Sequence, residues 1–226
     1  MNIFNIMSPL WYGFINYIGI FICYPLVEIY IMRNYDKFEH YDRKRKNYII
    51  KNIIKSLILK YISIATIPLI PLLLFNMGNI TKCLHFLGFL YTAGDTIALT
   101  KDINLSLSTK IHHSITTILC LLNTTINWSN THSIAKMMGL YTILSCYSYD
   151  VNYCLGMRFL ISDVEYKKLK KKAYITYLSC CTFNWVIHII YLTLHIKNLE
   201  VVVLSYYLII SLVIYDDIIL LKWLQH

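Results

Sequence analysis

Long apolar stretches separated by short polar segments extend along the whole chain. Most of them approach or exceed the roughly 18 residues that suggest a membrane span. Backbone amides in lipid must be satisfied within their own segment, and the alternating pattern of barrel strands is missing, so each stretch predicts a helix. The expected fold is an all-α, polytopic membrane helical bundle of about seven transmembrane helices around a polar cavity. The predicted spans cover residues 10–32, 53–75, 83–99, 111–128, 134–161, 173–196 and 201–221.

Composition agrees with a membrane protein. The chain has 226 residues, 57% of them hydrophobic, and a mean hydropathy of +0.52, which excludes a soluble globular domain. Two prolines, Pro68 and Pro71, are expected to kink or break the second span. The fifth span is longer than a bilayer requires, so we expect it to be tilted, or broken around Asn152 and Gly156.

Basic residues are concentrated in the segments after the first, third and fifth spans. The clearest are the polar segment 33–51, which contains the run 43–46, and a second run at 167–172. By the positive-inside rule this side is cytoplasmic, so the N-terminus is expected to be lumenal or exterior and the C-terminus cytoplasmic. The membrane is expected to be the endoplasmic reticulum or another host membrane. The net charge of +9 does not predict nucleic-acid binding, because no basic domain stands apart from the spans.

Ionisable residues inside the apolar stretches are the candidates for chemistry, because they are costly in lipid. Asp95 lies near the end of the third span, and His112 and His113 lie near the start of the fourth. The two spans run in opposite directions, so these side chains are expected at similar depth. Adjacent histidines point about 100° apart on a helix and can hardly chelate one ion alone. No metal site is expected.

Later spans add further polar residues. Asp150, Asn152 and Arg158 lie in the fifth span, and Asn184 and His188 share one face of the sixth. Acids and imidazoles on separate helices predict a shared polar interior just beneath the cytosolic leaflet. Simpler interpretations stay open: a lone histidine such as His188 often serves packing, and Thr or Asn in a span often joins helices. Asp216 and Asp217 lie towards the cytoplasmic end of the last span, where they either bound the cavity or mark the membrane interface.

The spacing of Tyr91, Asp95, a short loop and the pair His112 and His113 resembles the TLC-domain family of membrane proteins. Asp150, Asn152 and Arg158 are similar to a later motif of many members. Leu90 stands where members often have Gly, and the Ser-Thr-Pro part of the late motif and the longer acidic motif of ceramide synthases are absent. The chain is therefore more similar to the small TLC-domain proteins. The resemblance divides it into an N-terminal span and basic cytoplasmic loop (1–47), a TLC-like transmembrane domain (48–221) and a short tail (222–226).

For the enzymes of that family, the resemblance implies transfer of an acyl group from acyl-CoA to a long-chain amine. The expected catalytic residues are His112, His113, Asp95 and Asp150; the expected substrate-binding residues are Tyr91, Asn152, Arg158, Asn184 and His188. A neutral histidine in a dry pocket can act as a general base while a carboxylate orients it. We expect no bound cofactor, acyl-CoA as co-substrate, and membrane lipids as partners; the oligomeric state is left open.

Two other functions compete with the acyltransferase. A non-catalytic protein could bind lipid and adjust membrane composition with the same cavity. A transporter or channel could use the polar interior for ions, although the chain lacks recognisable half-helices or paired repeats. A di-iron hydroxylase is disfavoured, because the eight histidines form no repeated clusters.

Overall fold

The computed structural model describes residues 3–75, 77, 79–101, 107–128, 133–196 and 200–226. Helix accounts for 88% of the structure, and the described residues contain no strand. The prediction of an all-α fold is confirmed. In chain order the described elements are α1 (Ile3–Asn34), a 3₁₀ helix (Asp36–Phe38), α2 (Arg43–Thr66), α3 (Leu69–Leu74), α4 (Thr81–Lys101), α5 (Leu107–Asn123), α6 (Ser133–Cys146), α7 (Tyr149–Met157), α8 (Asp163–His195) and α9 (Val201–Gln225).

Three helices in the described part of the chain are long and apolar enough to cross a membrane: Pro9–Asn34, Asp163–His195 and Val201–Gln225. They also carry large apolar side chains on their outer faces, among them Phe14 at 56% exposure and Leu208 at 73%. Such surfaces are costly in water. The fold is therefore compatible with a membrane protein.

The two basic runs are helical, although the sequence analysis assigned them to polar segments outside the predicted spans. Asp42 caps α2 by accepting a hydrogen bond from the Arg45 backbone N–H at 2.9 Å, so the run 43–46 forms the first turn of that helix. A capping box begins α8: the Ser162 hydroxyl accepts from the Glu165 N–H, and the Glu165 carboxylate accepts from the Ser162 N–H. These caps satisfy free N–H groups and start both helices well before the apolar residues begin.

Two predicted spans are divided. α2 ends at Thr66 because Pro68 lacks the N–H that a continuing helix needs. The fifth predicted span breaks at residues 147–148, whereas Asn152 and Gly156 lie inside α7. At this break the Tyr147 and Ser148 N–H groups donate to carbonyls three residues earlier, and the Ser148 hydroxyl donates to the Ser145 carbonyl at 2.5 Å. The expected break at Asn152 or Gly156 was therefore misplaced, because local serine hydrogen bonds compete with the helical pattern.

Gly156 lies in α7 where that helix packs against α2. A Cβ atom on Gly156 would come within 2.9 Å of Ile53 Cγ1 and 3.2 Å of the Ile49 carbonyl oxygen. Glycine is therefore retained here for close packing, not for a bend. This contact fixes α7 against the helix that carries Lys55, a residue of the site described below.

We expect Gly156→Ala to lower the stability of the protein by about 1–3 kcal/mol, the usual cost of overpacking a core. The matched control is Gly19→Ala in α1, where a new Cβ would meet nothing within 4 Å and should be neutral or slightly stabilising. The midpoint of thermal unfolding in detergent measures both. An upward shift of similar size in both variants would contradict the close α2–α7 contact.

Candidate active site

Four ionisable side chains from three helices lie close together: Lys55 of α2, Asp95 of α4, and His112 and His113 of α5. Asp95 of α4 is fully buried, and its Oδ1 atom contacts both the Lys55 ammonium of α2 and, at 3.0 Å, Nδ1 of His113 of α5. The Thr116 hydroxyl donates to Oδ2 of Asp95 at 3.4 Å. The structure thus brings together Asp95 and the histidine pair, which the sequence placed at similar depth. It also adds a lysine that balances the buried carboxylate.

Lys55 was missed in the sequence analysis. It lies inside the second predicted span, where a charged residue is as unusual as Asp95 is in the third. That position was the available signal. Its role became visible only when α2 was packed against α4, which also puts the Lys55 ammonium 5.8 Å from the ring centre of Tyr91.

The second histidine faces a different carboxylate. Nδ1 of His112 lies 3.3 Å from Oδ2 of Asp216 of α9, and the two imidazole rings are nearly perpendicular, 5.7 Å apart. Both Nδ1 atoms are buried, and neither meets its carboxylate in hydrogen-bond geometry. Such contacts often tighten only when a substrate binds. The adjacent histidines therefore form two separate histidine–carboxylate pairs.

Asp217 lies beside these pairs and is also buried. Its carboxylate accepts hydrogen bonds from the Tyr141 hydroxyl at 2.5 Å and the Tyr177 hydroxyl at 2.7 Å. Of the two alternatives for the acidic residues of the last span, the structure favours the cavity for Asp217, which lines it, while Asp216 contacts His112 of the lining. Tyr141 was not among the predicted site residues, because tyrosine is common throughout this chain.

An elongated cavity of about 100 Å³ begins at this cluster. His112, Thr116 and Asp217 line one end, and Tyr206 and Trp128 line the other. Asp217 and Tyr206 are about 16 Å apart along α9 at 1.5 Å per residue. Most of the side chains between the two ends are apolar, including Leu87, Leu119, Ile210 and Val213. The lining of the cavity therefore matches the polarity of a hydrocarbon chain whose polar end lies at the histidines.

Trp128 lines the far end of the cavity. Its indole N–H donates to the Asn123 side-chain oxygen at 2.7 Å, and its backbone N–H donates to the Thr81 hydroxyl at 3.0 Å. The ring packs on Gly139, where a Cβ would lie 3.0 Å from it. These contacts hold the indole across the end of the cavity.

Two predicted substrate-binding residues lie behind the cavity wall. Nε2 of His188 is 3.0 Å from the Tyr206 hydroxyl, and its Nδ1 is 2.8 Å from the Asn184 carbonyl oxygen. The Asn184 amide donates to the Tyr141 carbonyl at 3.4 Å. Of the predicted substrate-binding residues, Tyr91 is found among the described lining residues. Asn184 and His188 instead support the tyrosines that line the cavity.

The remaining predicted residues are held elsewhere. Asp150 pairs with Lys172 of α8 through contacts of 3.0 and 3.1 Å. The Arg158 guanidinium lies over the Phe159 ring at 4.5 Å and over the Trp223 ring at 5.4 Å. Asn152 is half-buried on α7. These contacts of Asp150 and Arg158 are with α8, Phe159 and α9, and none of the contacts between described residues joins these three residues to the histidine pairs.

No protein-family model, curated protein sequence or solved structure matches this chain.

Asp95, His112 and His113 also offer three atoms within 4.8 Å of one another, a set that could hold a metal ion. Lys55 already supplies a positive charge to Asp95 and would repel a divalent cation. We therefore expect purified protein to contain far less than one zinc ion per chain. Elemental analysis measures this directly, and a stoichiometric ion would show that the site is a metal centre.

Lys55→Met removes the competing charge, and we expect it to raise the affinity for Zn²⁺ by roughly tenfold or more. The same variant should be destabilised without metal, because Asp95 loses its charge partner, and should regain thermal stability on adding Zn²⁺. Lys60→Met on the exposed face of α2 is the matched control. Equal zinc response in both variants would show that Lys55 does not control cation binding at this site.

Proposed function

We propose that this chain is a TLC-type membrane lipid N-acyltransferase that transfers an acyl group from acyl-CoA to a long-chain amine. One observation carries the proposal: His112 lies at the polar end of an elongated, mainly apolar cavity and faces the Asp216 carboxylate. A long-chain substrate needs an apolar space for its hydrocarbon, and acyl transfer needs a base where that space ends. The spacing of Tyr91, Asp95 and the histidine pair supports the same assignment.

His112 is the proposed general base. Its Nδ1 faces Asp216, which favours the tautomer with a proton on Nδ1 and leaves Nε2 to accept one. The amine nitrogen attacks the thioester carbonyl carbon, and the nitrogen–carbon bond forms as the carbon–sulfur bond breaks. Nε2 takes a proton from the attacking nitrogen and passes it to the departing thiolate. The products are an amide and free CoA thiol.

His113 is a positioning residue in this scheme. Its carboxylate partner, Asp95, is fully buried and already shared with Lys55, so the charges of that pair are balanced. Asp216 is 19% exposed, and its described ion-pair partner is His112. Charge that develops on His112 during proton transfer is therefore offset by Asp216. Asp95 and Lys55 fix α5 so that His112 faces the cavity.

We propose that all seven predicted spans cross the bilayer, with α2 and α3 forming one span and α6 and α7 another. Asp95 lies about 9 Å from the end of α4, and His112 about 8 Å from the start of α5, at 1.5 Å per residue. The first turn of α2 and the first turns of α8 carry the basic runs. In this topology they flank the same membrane face as the histidines, where they would attract the phosphates of a CoA head group.

A non-catalytic lipid-binding protein is the second candidate. The observation that favours it is the cavity itself, whose mainly apolar lining suits a hydrocarbon chain without any reaction. In that case both histidine–carboxylate pairs would serve only to join α4, α5 and α9.

Acyl transfer by purified protein in lipid nanodiscs tests the proposal, with labelled acyl-CoA and a long-chain amine as substrates. We expect His112→Asn to lower turnover by about 10²–10⁴-fold, the usual contribution of general acid–base catalysis. His113→Asn should lose less and should also lower thermal stability. His195→Asn, an exposed histidine near the end of α8, is the control. Lipid binding without turnover in the wild type would favour the second candidate.

Topology is tested by labelling single introduced cysteines with a membrane-impermeant maleimide in sealed vesicles of known orientation. We expect Lys168→Cys to react from the cytoplasmic side and Asn79→Cys from the opposite side. Wild type gives the background from the native cysteines. Labelling of both positions from one side would reject the seven-span arrangement.

A further inference from the structure

Asp217 is a buried carboxylate whose hydrogen-bond donors are both uncharged. Its side chain comes from α9, the residue is 7% exposed, and it lines the cavity beside His112. Its two donors are the hydroxyls of Tyr141 and Tyr177. None of the ion pairs between described residues includes Asp217. Each of its two oxygens accepts one of these hydrogen bonds, and a cationic ligand in the cavity would supply the counter-charge that the described residues do not.

The charge of the surrounding cluster leads to the same conclusion. Three carboxylates surround the histidine pair: Asp217 lines the cavity beside His112, Asp216 contacts His112, and Asp95 contacts His113. The described cation that pairs with one of them is Lys55. Among the ion pairs of the described residues, Lys55 pairs with Asp95 and with neither of the other two carboxylates. With both imidazoles neutral, two negative charges are uncompensated. A ligand that brings a positive charge to the cavity would be stabilised by both.

The hydrogen-bonding capacity of Asp217 fits an ammonium group. An ionised carboxylate can accept about four hydrogen bonds, and the two tyrosines supply two of them. Lipid-like molecules with a single ammonium group and a long apolar chain match this end of the cavity and the apolar space behind it. A fatty acid would place a second carboxylate against Asp217 and would be repelled.

We propose that Asp217 binds the protonated amino group of a long-chain primary amine, with the hydrocarbon chain directed toward Trp128. The choice of an amine rests on the proposed function, in which this molecule is the acyl acceptor. Before attack the ammonium gives one proton to Nε2 of His112, which releases it to solvent. When the nitrogen–carbon bond forms and the carbon–sulfur bond breaks, the second proton goes to the thiolate. Asp217 is thus a binding residue and does not itself take a proton from the acceptor.

Equilibrium binding without acyl-CoA tests the site by itself. Labelled hexadecylamine is bound to the full chain in detergent micelles at neutral pH, and unlabelled hexadecylamine, hexadecanol and hexadecanoic acid compete with it. We expect the wild type to prefer the amine over the alcohol by about tenfold or more, as for a hydrogen bond to a charged group. The acid should compete least. Equal competition by amine and alcohol in the wild type would overturn the proposal without any variant.

Asp217→Asn should remove the preference for the amine and leave the affinity for the alcohol nearly unchanged. Asp36→Asn, at an exposed acid in the 3₁₀ helix, is the matched control and should keep the preference. If Asp217→Asn fails to fold, Tyr177→Phe replaces it: this variant frees one lone pair of the carboxylate, and the preference should be kept or increased. Retained preference in folded Asp217→Asn, or its loss in folded Tyr177→Phe, would overturn the proposal.

The amine-binding experiment and the acyl-transfer assay can fail independently of each other. Amine binding that depends on Asp217 in a protein without turnover would support this site and reject the enzyme. Turnover in which Asp217→Asn leaves the KM for the amine unchanged would support the enzyme and reject this site.

Discussion

The contact between Lys55 and Asp95 is the interaction on which the rest of the site depends. It joins α2 to α4 in the interior, and through His113 it extends to α5. Removing one partner of such a buried pair typically costs about 3–5 kcal/mol, because the other charge is left without compensation. The arrangement is therefore sensitive to the relative positions of three helices. The break at 147–148 separates α7 from α6, and the close packing at Gly156 fixes α7 against α2.

Two adjacent histidines serve this arrangement in different ways. On a helix their side chains diverge by about 100°, so each meets a carboxylate from a different neighbour: Asp95 on α4 and Asp216 on α9. The first carboxylate is charge-balanced by Lys55, whereas the described ion-pair partner of the second is His112. This difference in compensation is the basis on which we propose a positioning role for His113 and a proton-accepting role for His112.

The adjacent acids of α9 likewise point to different partners. The Asp216 carboxylate contacts His112, and the Asp217 carboxylate accepts hydrogen bonds from Tyr141 and Tyr177. Consecutive residues thereby contribute to two functions that we propose for one cavity, orientation of a base and binding of a cation. The tyrosines come from α6 and α8, so with α5 and α9 four helices contribute to these contacts. A polar centre of this kind is stable in a membrane protein only when each charged group finds its partner inside the protein.

The amino-acid sequence by itself determined the helical class and the approach of Asp95 to His112 and His113, and it predicted a membrane protein, with which the three long apolar helices are compatible. Hydrophobic run length and the antiparallel order of neighbouring spans suffice for these, because both act locally along the chain. Only the tertiary structure decided that Lys55 balances Asp95, that Asp217 belongs to the cavity, and that Asp150 pairs with Lys172. Each of these depends on which helix faces which and on where capping and serine hydrogen bonds begin or break a helix. Hydrophobicity is nearly the same all round such helices, so it does not reveal their partners.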